Sequence, residues 1–294
     1  NPGGSAKDRP ARHMIERALA DGRLKSGDTV VESSSGNMGI GLAQACAVHG
    51  LQFICVVDPN AQSQNVAIIR ALGGQIELVD HAPDGDFLAA RLDRVAKLLE
   101  EDSRRFWPNQ YANLDNPESH ELGTIAEIDA ALGGQIDVLF VACSSTGTAR
   151  GCRDYLRRMG RKTKVVAVDA MGSTLFNGTA GPRKISGMGA GRIPELAKGQ
   201  EFDDLVRVSD VTCVAGCRRA VAREGLLVGG SGGGVLEAVR GMQDELAGLT
   251  VAAIIHDSGS RYLGTVFDPE WVERELGICD ADVTALAGLA PADS

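Results

Sequence analysis

The stretch NPGGSAKDRPA, residues 1–11, places a single lysine, Lys7, between a glycine pair and the start of a helix. Gly3 and Gly4 let the backbone bend tightly and approach a ligand closely, and Ser5 adds a small hydroxyl. Asp8 can cap a helix that carries Pro10 early and then Met14, Ile15, Ala18 and Leu19. An amine at the mouth of such a helix is placed to hold a carbonyl cofactor. A lysine at a surface helix start is otherwise a solvated charge. The segments downstream weigh between the two.

Those segments alternate short apolar runs with amphipathic ones. Strands are expected over 28–32, 51–57 and 75–79, and helices over 38–48, 63–72 and 86–100. Such alternation implies right-handed crossovers and a parallel sheet covered on both faces. Between the first strand and its helix stand Ser33, Ser34, Ser35, Gly36 and Asn37. A serine-glycine turn ahead of a helix offers N–H groups and hydroxyls to an anion, or is an ordinary turn. The run FWPNQYAN, 106–113, breaks the pattern with three aromatics, a proline and three amides, and reads as a passage between domains.

A helix over 117–132 and a buried strand over 136–142 lead into Ser144, Ser145, Thr146, Gly147 and Thr148, with another helix behind them. Four hydroxyls and a glycine there can surround a phosphate. The missing Gly-Lys-Ser/Thr ending separates the loop from a nucleotide P-loop. Strands over 164–168 and 205–208 flank a glycine-rich loop, 172–194, that contains GMGAGR. After a helix over 211–223, the run LLVGGSGGG, 226–234, sets glycines between an apolar run and an amphipathic helix, which points to close approach of backbone to ligand. A last strand is expected over 251–255. The stretch 279–294, rich in Ala and Asp, reads as a flexible tail. The domains expected are 1–110, a smaller αβα unit with Lys7, and 111–278, a larger one with the hydroxyl-rich loop.

With 294 residues, 44% hydrophobic, the chain can bury a core large enough for two domains. A net charge of -9 without a long basic run argues against nucleic acid. The seven cysteines are scattered with no Cys-x-x-Cys pair, which suggests reduced thiols in a cytoplasmic protein and neither a disulfide frame nor a zinc site. No stretch reads as a membrane span or a signal peptide.

Taken together and in order, GGSAKD, SSSGN, SSTGT and GGSGG resemble the fold type II pyridoxal-phosphate enzymes, the group that contains cysteine synthase. The resemblance covers essentially the whole chain. It implies two three-layer αβα domains with mainly parallel sheets and pyridoxal 5'-phosphate as cofactor. It also implies Lys7 as Schiff-base lysine, Asn37 against the ring oxygen, and Ser33, Ser34, Ser35 and Gly36 around the substrate carboxylate. Ser144, Ser145, Thr146, Gly147 and Thr148 would hold the cofactor phosphate, and Ser231 would face the pyridine nitrogen. The family's segment ahead of the lysine loop is missing from this sequence, so a truncated chain is expected.

The finer resemblance is to the siderophore-associated N-(2-amino-2-carboxyethyl)-L-glutamate synthases, carried by NPGGSAKDRPA, VVDP (56–59), NQYAN (109–113), VAVDAMGS (166–173) and GMGAGR (187–192). It implies O-phospho-L-serine and L-glutamate as substrates, on the way to 2,3-diaminopropionate, and a homodimer. Tyr111 and Arg192 are the expected contacts to phosphate or to glutamate carboxylates; the alternatives are a packing residue and a surface charge. Asp58, Pro59, Asn60, Ala61, Gln62 and Ser63 stand where cysteine synthases have Met-Pro-x-Thr-Met-Ser, a departure that bears on sulfide use. A sulfhydrylase using O-phosphoserine or O-acetylserine is the nearest rival. A ligand-binding or inactive truncated relative is the reading outside enzymes.

Overall fold

The computed structural model describes residues 1–289, and the chain divides into two compact units, Asn1–Ser119 and the part from His120 onward. Unit 1 runs α1 (Asp8–Ala20), β1 (Thr29–Glu32), α2 (Asn37–His49), β2 (Gln52–Val57), α3 (Ser63–Ala71), β3 (Gln75–Leu78), α4 (Phe87–Glu101), β4 (Arg105–Phe106) and α5 (Asp115–Ser119). Its strands form one parallel sheet in the order β3-β2-β1-β4. Successive strand side chains point to opposite faces. Val30, Phe53, Cys55 and Val57 accordingly pack with Met14, Ile15, Ile40, Leu42 and Ile69 of α1–α3. Val31 and Val56 pack on the other face against Val95 and Leu98 of α4. That alternation makes the unit three layers deep.

Unit 2 begins with a π-helical turn, His120–Thr124, and continues through α6 (Ile125–Ala131), β5 (Val138–Ala142), α7 (Gly147–Arg158), β6 (Lys164–Ala170), β7 (Asp204–Val208), α8 (Asp210–Glu224), α9 (Gly230–Gly241), β8 (Val251–Ala253), α10 (Pro269–Leu276) and α11 (Asp280–Leu286). The sheet is parallel, in the order β7-β6-β5-β8. Leu139, Val141, Val165 and Ala167 bury against α6 and α7 through Ile125, Ala149, Cys152 and Leu156. Val138, Phe140, Val166 and Val168 bury on the opposite face against α8–α11. Two αβα units with parallel sheets are therefore present, as the alternating pattern implies.

Three expectations need correction. The passage around 106–113 belongs to unit 1, and the boundary falls at 119/120 instead of 110/111. The two-residue β4 pairs with β1 there, Asn116 Nδ2 donates to the Gln110 carbonyl at 2.8 Å, and His13 Nε2 meets Glu118 Oε2 at 2.9 Å. Residues 279–289 are not a loose tail. Val283 and Ala287 are fully buried, Arg218 pairs with Asp280, and Arg219 Nη2 donates to the Leu286 carbonyl at 2.7 Å. Acidic Asp280 and Asp282 in the first turn suit a helix start, a cue hidden in the alanine-rich composition. Residues 290–294 of the expected tail lie outside the described residues.

The glycines of 229–234 are the third case. A Cβ on Gly233 would stand 2.2 Å from the Cys213 carbonyl oxygen, and one on Gly216 would stand 2.2 Å from that of Gly233. These glycines let α9 lie backbone to backbone on α8, so the close approach at Gly233 is to protein. All seven cysteines are free thiols, and Cys279 alone is exposed. Among the described residues no helix is long and apolar enough to cross a membrane.

Candidate active site

In unit 1, Lys7 occupies the N-cap of α1 and is half-buried. Asp8, expected as the cap, is the first helical residue and turns back, accepting the Gly3 N–H at 2.6 Å. Gly4, at φ 77, takes a left-handed conformation that favours glycine. The lysine backbone rests on α2: a Cβ on Gly41 would lie 2.9 Å from Ala11 Cβ and 3.1 Å from the Lys7 carbonyl oxygen. The Lys7 backbone thus sits where α1 packs on α2, and the second helix opens with Asn37.

The loop 33–36 joins β1 to α2. Ser33 is buried and its Oγ has no hydrogen-bond partner among the described residues. Ser34 offers its carbonyl to Cys55 Sγ at 2.9 Å, and a Cβ on Gly39 would come 2.1 Å from that same oxygen, so the loop lies flat on α2. First-turn N–H groups of a helix lack intrahelical partners and are open to an acceptor from outside the helix. Tyr111 is half-buried in the same unit. Desolvation and the nearby Glu32 carboxylate push its phenol up, while Arg91 opposes them. Arg91, on α4, holds Asp58 Oδ2 at 3.1 Å through Nε. It is the cation near Tyr111 that sequence reasoning missed, because the pairing joins residues 33 positions apart.

In unit 2, β5 delivers the chain into the loop 144–148. Ser144 Oγ donates to the Gly189 carbonyl at 3.1 Å, and the Gly189 N–H returns to the Cys143 carbonyl at 2.7 Å. Ser145 Oγ accepts the Gly147 N–H at 3.4 Å. Thr146 is left-handed at φ 66, and its buried Oγ1 has no hydrogen-bond partner among the described residues. Thr148 Oγ1 meets the fully buried His120 at 3.2 Å, whose other ring nitrogen meets Thr124 Oγ1 at 2.9 Å. Ser231 is buried in the first turn of α9, and a Cβ on Gly187 would stand 3.7 Å from its Oγ. The glycine loop therefore joins Ser144 to Ser231. Arg192, at the end of that loop, is exposed. The arginine lying on the loop is Arg183, whose Nη1 would meet a Cβ on Gly189 at 2.7 Å. His120 and Arg183 had no local sequence signal.

The sequence model of a family described as "Pyridoxal-phosphate dependent enzyme" matches residues 1–257. The chain belongs to that family. Relatives with curated names include an N-(2-amino-2-carboxyethyl)-L-glutamate synthase from Ralstonia nicotianae, 43% identical over 93% of this chain and 82% of its own. The namesake from Cupriavidus metallidurans is 41% identical with the same coverages. Among solved structures, O-ureido-L-serine synthase superposes with a TM-score of 0.85 at 31% identity, covering 97% of this chain and 89% of that one. The residues present suit the pyridoxal phosphate of this enzyme family. A buried hydroxyl without a partner among the described residues stands at Thr146, at the start of a 12-residue helix, as a phosphate requires. A half-buried lysine stands at Lys7, the side chain that an aldehyde requires, and Ser231 adds a buried hydroxyl.

Proposed function

We propose that this enzyme replaces the phosphate of O-phospho-L-serine with the amine of L-glutamate, giving N-(2-amino-2-carboxyethyl)-L-glutamate and phosphate. The observation that carries the reading is that two relatives bearing this synthase name are 43% and 41% identical, each across 93% of the chain. The bound cofactor supplies the electron sink for loss of the α-proton and departure of the β-substituent. Lys7 Nζ takes the α-proton and later returns it to the same carbon. Ser33, Ser34, Ser35 and Gly36 hold the substrate carboxylate through hydroxyls and N–H groups, and Asn37 orients the cofactor ring through its amide. Ser144, Ser145, Thr146, Gly147 and Thr148 anchor the cofactor phosphate, and Ser231 faces the pyridine nitrogen.

Over the whole cycle the Cβ–O bond to phosphate breaks and a Cβ–N bond to glutamate forms, with the amine proton lost to solvent. Glutamate brings two carboxylates into a chain of net charge -9, and buried carboxylates are costly without donors. Tyr111 and Arg192 are assigned to that task, joined by Arg91, whose guanidinium can bind a carboxylate through two bonds. The same reading makes the protein a cytoplasmic homodimer, checked by sedimentation. The deciding experiment incubates the holoenzyme with O-phosphoserine plus equimolar glutamate and sulfide, with mass spectrometry of the products. The glutamate adduct is expected. Cysteine alone would overturn the reading in favour of a sulfhydrylase.

A further inference from the structure

Glu32 closes β1 immediately before the loop 33–36 and is 1% exposed. A carboxylate so far from water is costly unless donors surround it. Oε1 accepts the Ser33 N–H at 2.9 Å and the Trp107 indole N–H at 2.9 Å. Oε2 accepts the Gln110 N–H at 3.3 Å, and the Asn109 N–H adds to them. Asn109 sits at φ 48, a left-handed conformation uncommon outside glycine, which turns successive N–H groups into a concave nest for an anion. Every partner is a donor, so only the ionised carboxylate satisfies all of them. None of the chemical steps above uses this group.

The geometry points to Glu32 as a positioning residue, an internal anion that buckles the substrate-carboxylate loop 33–36 to the segment 107–111 that carries Tyr111. The inference rests on the assignment of 33–36 to the substrate. Gln110 precedes Tyr111 by one peptide unit, so the bond to Gln110 sets the backbone from which the phenol projects. Ser33, on the other side, begins the loop whose N–H groups and hydroxyls must converge on one carboxylate. Protonation of Glu32 turns one acceptor site into a donor and loosens the buckle. Burial outweighs the donors and raises this carboxyl above its ordinary value. The titratable groups facing it are Tyr111, Cys55 in register on β2, and Arg91 on α4 with its partner Asp58. Arg105 of β4 turns away to the Leu98 carbonyl and Glu101. Tyr111 is raised and Cys55 is lifted to about 12.

The test follows phosphate release by the holoenzyme across pH for wild type, Glu32→Gln, Trp107→Phe and Ser34→Ala. Wild type is expected to show KM for O-phosphoserine rising on the acid side, at a pH above the ordinary glutamate range. Glu32→Gln should keep the cofactor absorption, raise KM roughly tenfold or more at neutral pH, and lose that acid limb. Trp107→Phe removes one donor and should raise KM less, and it serves if Glu32→Gln does not fold. A lowered melting temperature with wild-type KM and pH profile in either variant would reduce Glu32 to a structural part and overturn the inference. Ser34→Ala separates the two ideas. If it raises KM while Glu32→Gln does not, the buckle alone is lost; if neither does, the loop assignment fails and the buckle falls with it.

Discussion

Lys7 stands at the N-cap of α1 with its backbone held by Ser5 Oγ at 3.2 Å, and its assigned role makes a chemical claim about one nitrogen. Borohydride reduction of the holoenzyme should leave a pyridoxyl group on the peptide containing Lys7 and on no other lysine. Label at Lys25 or Lys184 would remove it from the mechanism. Glu32 makes a thermodynamic claim. Because its folded carboxyl is raised, the folded protein keeps that proton where the unfolded chain has already released it. The stability it contributes is full below the ordinary carboxylate range and is lost as pH rises through the folded value. Asp102, lowered by Arg104, has the opposite sign and acts below that window. Urea midpoints from about pH 4 to 8 should therefore fall in wild type relative to Glu32→Gln as pH rises. A constant difference would show that burial does not shift this group. Activity and stability then pull Glu32 in opposite directions, since its donors need the charge that burial disfavours.

Among the elements, the contacts between helices α1 and α2 and between α8 and α9 depend on glycine. Gly41→Val should displace the Lys7 backbone and lower stability by about 1–3 kcal/mol, the usual cost of overpacking, read as a urea midpoint shift with loss of cofactor absorption. Unchanged absorption would mean that the lysine does not rely on α2. The strands β2, β5 and β6 were legible because four or more apolar residues in a row leave little choice in a sheet buried on both faces, and β1 because its β-branched Thr29, Val30 and Val31 favour a strand. The loops at 33–37 and 144–148 were legible because hydroxyls and glycine cluster where strand meets helix. β4 was not, since two residues have no periodicity, and its pairing with Thr29 and Val30 is set by the sheet. Glu32 and Arg91 were equally silent. A charged residue ending a strand, or lying along a helix, declares its role only through partners distant in sequence.

At the scale of the whole molecule, each unit has its own sheet and its own apolar layers on both faces. One tryptophan lies in each, Trp107 in unit 1 and Trp271 in unit 2. Fluorescence of Trp107→Phe and Trp271→Phe should therefore follow the two units separately, with distinct denaturant midpoints, since chains of several domains depart from two-state unfolding. Coincident midpoints in both variants would mean that the chain unfolds as one body. The residues at 279–289 bear on how such a protein can be handled. Six of the seven thiols are buried, and burial raises those of Cys46 and Cys55 to about 12. Cys279, exposed at the N-cap of α11 with its thiol on Asp282 at 3.1 Å, is the one cysteine that a maleimide dye can reach in the folded protein. A single fluorophore can thus be attached to this chain without mutagenesis, at the start of α11, to follow the docking of that helix in real time.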